Sequence, residues 1–148
     1  MAFRFPFEVL LRVRQGLERQ QELRLQEANH RIVALRRQIE DVVGEVDQIM
    51  IRRRPQLTSG ISAAELQFDV LCRSVLTTRR DVLEKQLIEA EAHRFSCNAD
   101  FQQARRQREV MDTLRLHQLQ DYNQQQARRD QRRLDDMFLL RRAYLRRS

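Results

Sequence analysis

The 148-residue chain has no tryptophan, two prolines, three glycines, two cysteines and a single lysine, Lys85. Five turn-formers cannot punctuate a sheet, which needs a Gly/Pro/Asn/Asp cluster every ten residues or so. Sandwiches, barrels and doubly wound folds are thereby excluded. Long apolar runs are also missing: none exceeds the four residues of Met137 to Leu140, far short of the roughly 20 residues of a transmembrane helix. Arg4, Glu8 and Arg12 break the N-terminus too often for a signal peptide, so a cytoplasmic protein is expected. Cys72 and Cys97 lie too far apart on one helix, about 37 Å at 1.5 Å per residue, to form a disulfide. Neither has a CxxC or Cys/His spacing, so free thiols and no metal are expected. What is abundant is arginine: 28 Lys+Arg stand against 21 Asp+Glu, for a net charge of +7. With glutamine, glutamate and leucine, arginine gives the composition of long helices and coiled coils.

One interruption divides the chain, at Arg52-Arg53-Arg54-Pro55-Gln56-Leu57-Thr58-Ser59-Gly60. Three arginines suit a helix C-terminus, and Pro55 cannot continue the helix. Ser62-Ala63-Ala64-Glu65 then reads as a capping box, with Ile61 and Leu66 at the staple positions. Pro6 can open the first helix because its missing N–H would be unpaired there. The expected fold is all-α: a long antiparallel two-helix coiled-coil hairpin over residues 1–148. Its helices are expected at about 6–54 and 63–146, joined by a turn at about 55–62, with the second helix overhanging.

Leu25, Ala28, Ile32, Leu35, Ile39, Val42, Val46 and Ile49 alternate steps of three and four, which is a coiled-coil seam. Towards the N-terminus Leu10, Val13 and Leu17 keep the spacing. Reaching Leu25 through Gln21 then takes two steps of four, a stutter. A turn centred between Leu57 and Thr58 would set Ile49 against Leu66, Ile32 against Leu83 and Leu25 against Ala90. The first helix would end opposite about Arg108, leaving roughly 40 residues, about 60 Å, unpaired. Phe68, Val75 and Leu87 are the expected seam residues of the second helix, with Leu71 and Val82 also facing the first. Cys72, Leu76, Arg79 and Leu83 would then form a separate stripe; a widened seam is the other reading.

Catalysis finds no support. His30, His93 and His117 are scattered, Gly16, Gly44 and Gly60 are isolated, and an extended hairpin offers no pocket in which a pKa could be tuned. No small-molecule substrate or cofactor is expected. Charge is uneven: residues 1–54 carry +3, 55–104 carry −2 and 105–148 carry +6. Arg128, Arg129, Arg132 and Arg133 stack on adjacent helical ridges, interleaved with Asp130 and followed by Asp135 and Asp136. Interleaved acids and the lack of neighbouring aromatics argue against nucleic acid. Leu134, Met137, Phe138, Leu139, Leu140, Tyr144 and Leu145 lie where no partner helix is expected, which favours a docking helix.

The opening Phe3-Arg4-Phe5-Pro6-Phe7-Glu8-Val9-Leu10-Leu11-Arg12-Val13-Arg14 resembles the start of FliJ proteins, with alternating aromatics before a leucine-rich, arginine-ended turn. Gln131-Arg132-Arg133-Leu134-Asp135-Asp136 resembles the end of that family, with Asp-Asp where Asp-Glu is commoner. The resemblance spans essentially the whole length. It implies a stalk-like component of the flagellar type III export apparatus, peripheral at the cytoplasmic face of the inner membrane. The implied partners are the hexameric export ATPase (FliI-type), the export gate (FlhA-type) and export chaperones. Phe5, Phe7, Leu10, Arg128, Arg129, Arg132, Arg133, Leu134, Asp135, Asp136, Phe138, Leu140 and Tyr144 are the expected ATPase-docking residues. Cys72, Leu76, Arg79 and Leu83 are expected at the gate. A generic coiled-coil scaffold and an arginine-rich nucleic-acid-binding protein are the rivals; the second would lose DNA affinity steeply with salt.

Overall fold

The computed structural model describes residues 3–147, the side chains of Leu57 and Arg147 excepted. Its helices are α1 (Glu8–Arg53), α2 (Gln56–Ser59) and α3 (Ala63–Arg147), and no strand occurs among the described residues. Two long helices thus pack against each other. Glu8 lies in the first turn of α1 and Arg52 and Arg53 in its last, each on the side that the helix dipole favours. Pro55 opens the single turn α2, where Thr58 Oγ1 donates to its carbonyl at 2.7 Å. Gly60 then takes φ 92°, a left-handed conformation that glycine adopts without steric cost. The reciprocal capping box is present: Glu65 N donates to Ser62 Oγ and Ser62 N to Glu65 Oε2, both at 3.2 Å.

The chain divides into two compact units. In the first, Arg19–Gln102, the core is Ile32, Leu35, Val42, Leu83 and Ala90, with Ile39, Leu76 and Leu87 packed against it. Ala28 and Cys97 are also buried, and Leu25, Val46 and Ile49 are half-buried. Leu83 is 8% exposed, whereas Phe68 and Val75 are each 66% exposed. The expected face of the second helix is therefore corrected by one residue: Cys72, Leu76 and Leu83 turn towards α1, and Phe68, Leu71, Val75 and Val82 turn outward. The pairs Arg53–Asp69 and Arg36–Glu91, the latter at 2.9 Å, are centred on residue 61 and beyond. The expected centre at Leu57–Thr58 is too early, because α2 adds a helical turn before the chain reverses at Gly60.

The second unit comprises Met1–Glu18 and Gln103–Ser148. Its core is Leu11, 1% exposed, and Phe5, 5% exposed. Phe5 meets Phe7 edge-on at 5.9 Å, and Phe3 meets Tyr122 at 5.7 Å. Pairing within this unit continues to Tyr122, so the expected limit at Arg108 is also corrected. Residues 127–146 are exposed throughout. Leu10, Val13 and Leu17, expected inward, are exposed, while Arg14 and Glu18 lie beside Leu11 on the inward face. The inward positions of α1 become 11, 14, 18, 21, 25 and 28, which step by three and four without a break. The expected stutter at Gln21 does not exist; polar residues occupy the seam there.

Candidate functional site

Three places on the two units hold side chains that do more than pack. The first is a charged layer at the inward face of the Met1–Glu18/Gln103–Ser148 unit. Arg108 Nε donates to Glu18 Oε2 at 2.6 Å and its Nη2 to Glu18 Oε1 at 3.2 Å. Its Nη1 donates to Asp112 Oδ2, also at 2.6 Å. Hydrogen bonding to Glu18, then to Asp112, pushes the Arg108 guanidinium above its usual range. Arg14 Nη1 donates to Gln107 Oε1 at 2.6 Å one turn away. The guanidinium fork is suited to bidentate carboxylate pairing. Reading the sequence for apolar seams alone misses this layer; the only local signal is Arg108 and Asp112 at i, i+4.

The second place is the outer face of early α3. Leu71, Val75, Thr78 and Val82 lie four, three and four residues apart, with Phe68 one turn before, and all are exposed. Cys72, Leu76, Arg79 and Leu83 have the same spacing one residue on, but only Arg79 of that set is exposed. Leu66, Gln67, Val70 and Leu71 line a shallow apolar groove beside the stripe.

The third place is the end of α3. Arg128, Arg129, Arg132, Arg133, Leu134, Asp135, Asp136, Phe138, Leu140 and Tyr144 are all exposed there. Asp130 pairs loosely with Arg133 at 3.9 Å, and Gln131 Nε2 donates to Asp135 Oδ1 at 3.1 Å. Of the N-terminal residues expected beside them, Phe7 and Leu10 are partly exposed but Phe5 is buried. Phe5 is therefore corrected to a packing residue: its ring is buried and meets Phe7 edge-on. Phe3, Arg4, Phe5, Glu8, Val9, Arg12 and Arg115 surround a groove in the same unit, where Glu8 sits 3.8 Å from Arg12 and 3.9 Å from Arg115.

Both cysteines are free thiols, Cys97 buried with its sulfur 3.5 Å from His93 Nε2. No group of three or more metal-ligating side chains occurs among the described residues, and no helix among them is long and apolar enough to cross a membrane.

Fold and surfaces define a helical protein of two long, arginine-rich helices, with apolar stripes left outward beside charged ones. The sequence model of the flagellar FliJ protein family matches residues 3–148, and the chain belongs to that family. It is therefore a component of the flagellar protein export apparatus, serving flagellum biogenesis. Neither the curated proteins nor the solved structures contain a match to the chain.

Proposed function

We propose that the chain is a central-stalk-like part of the flagellar export apparatus, folded over residues 1–148 as one antiparallel coiled-coil hairpin. In this reading the end of α3 docks inside the ring of a FliI-type export ATPase. The outer stripe of early α3 meets an FlhA-type export gate, and export chaperones are further partners. The protein works in the cytoplasm, peripherally at the inner membrane. The observation that carries the reading is the exposed run Arg128 to Leu145, where arginines flank Leu134, Phe138 and Leu140. Apolar burial on docking supplies affinity, and the arginines steer approach to acidic loops. In this reading the gate-facing stripe is Leu71, Val75 and Val82, with Phe68 leading and Arg79 alongside; their exposure supports it, whereas Cys72, Leu76 and Leu83 are turned towards α1.

Truncation after Gln126 tests the docking site. Residues 127–146 are exposed throughout, so helicity per residue and melting should persist while co-purification with the ATPase hexamer is lost. A truncated chain that still assembles the hexamer would place docking elsewhere. At the gate, Val75→Ser should impair export while leaving melting unchanged. Full export by that variant would exclude the stripe.

A further inference from the structure

Residues 127–146 form one helical face of a particular chemistry. Leu134, Met137, Phe138 and Leu145 sit at i, i+3, i+4 and i+11, so they share a side of α3, and each is at least 60% exposed. At about 100° per residue Arg128, Arg132 and Arg146 lie about 120–160° round the helix from that side, with Leu139 among them, and Arg142 borders it. Residues 127–147 carry eight arginines against three aspartates and no lysine. Arg141 and, one turn before Leu134, Asp130 fall within the apolar side; a long arginine side chain there can keep its head in water while its stem lies on apolar surface. A basic helix with Phe, Leu and Met on its other face is built to lie in a lipid interface rather than to cross a bilayer. A span is excluded for the described residues by their charge.

We propose that residues 127–146 bind an anionic phospholipid surface, with Leu134, Met137, Phe138 and Leu145 sunk among the acyl chains and the arginines holding headgroup phosphates. The charge complementarity is direct: residues 127–146 carry seven arginines against three aspartates, and this excess of four positive charges meets a negatively charged leaflet. This inference does not rest on the docking reading. Where both hold, one face serves two surfaces that exclude each other, so membrane-bound chain is a reservoir from which a protein partner must lift the helix.

The probe is a vesicle of phosphatidylglycerol and phosphatidylcholine in equal parts, compared with pure phosphatidylcholine, using the full chain in a flotation assay. The chain should float with the anionic vesicles and not with the neutral ones. The variants are Leu134→Ser with Phe138→Ser, and separately Arg128, Arg132, Arg142 and Arg146 all to Gln. All these side chains are exposed, so melting should be unchanged in each, and each should bind anionic vesicles at least tenfold more weakly. No binding of the full chain to anionic vesicles would overturn the proposal. So would equal binding to both vesicle types, or an apolar variant that binds as well as the wild type, which would reduce the effect to surface adsorption of arginine. The ATPase co-purification is a separate readout: a chain that assembles the hexamer but never floats leaves the helix a protein-docking element only.

Discussion

Leu10 and Leu11 are neighbours of one residue type with opposite roles. Leu11 is sealed, while Leu10 is 42% exposed. Leu11→Ala should therefore cost about 2–4 kcal/mol in urea unfolding, and Leu10→Ala less than about 1 kcal/mol. Equal effects would mean that the N-terminal seam follows Leu10 after all. Arg108 calls for a different experiment, because its value lies in its partners. Removing Arg108 alone leaves Glu18 and Asp112 without their shared donor, at a cost of about 2 kcal/mol, reduced by the partial exposure of the site. Replacing Glu18 and Arg108 together by leucine should recover most of that loss, since an apolar pair leaves fewer charges stranded. A double-mutant cycle with no coupling would show that the layer contributes no stability. A folded-state pKa raised above the unfolded value contributes stability that is complete below the unfolded value and lost only as pH climbs through the folded one. For Arg108 both lie in the strongly alkaline range, so its charge should make no contribution to pH dependence around neutrality.

At the scale of the element, the glycines give a test in which one substitution has two signs. A Cβ added at Gly44 or at Gly60 meets nothing within 4 Å. Gly44 is inside α1, where alanine is the better helix former, so Gly44→Ala should stabilise by about 0.5–1 kcal/mol. Gly60 holds φ 92°, so Gly60→Ala should destabilise by about 1–2 kcal/mol; thermal melts of the two variants should move in opposite directions. The helices themselves were legible in the sequence. Pro55 and the Ser62–Glu65 box bracket the break, and the run from Leu25 to Ile49 has apolar residues at every seam position. Two features were not. The seam through Arg14, Glu18 and Gln21 is polar, so a search for apolar periodicity follows Leu10, Val13 and Leu17 instead and finds a stutter. Early α3 presents two apolar stripes one residue apart, Leu71-Val75-Val82 and Cys72-Leu76-Leu83. Spacing alone cannot rank them; only burial does: Leu83 belongs to the core that includes Val42, and Leu76 packs against that core. The exposed run after Arg128 was legible because its apolar residues fall beyond the last seam position that the spacing assigns.

For the whole molecule the deciding property is where charge and apolar surface coincide. Residues 105–148 hold +6 of the net +7, so Arg128, Arg129, Arg132 and Arg133 changed together to Ala should slow association with an acidic partner. Stopped-flow rates should show the difference shrinking as salt rises, while melting stays unchanged. Rates that fall equally at all salt concentrations would assign those arginines to the bound contact rather than to approach. The charged layer at Glu18 and Arg108 has a further consequence, for a chain under load. A seam of leucine and valine forgives sliding, because after seven residues apolar side chain meets apolar side chain again. Glu18 and Arg108 break that translational symmetry: one heptad of slip sets the Arg108 guanidinium against Leu11, a charge against a sealed apolar site. Pulled in an optical trap, the N-terminal segment should therefore give way in a single yield event, whereas a chain carrying leucine at both positions should creep past in seven-residue increments.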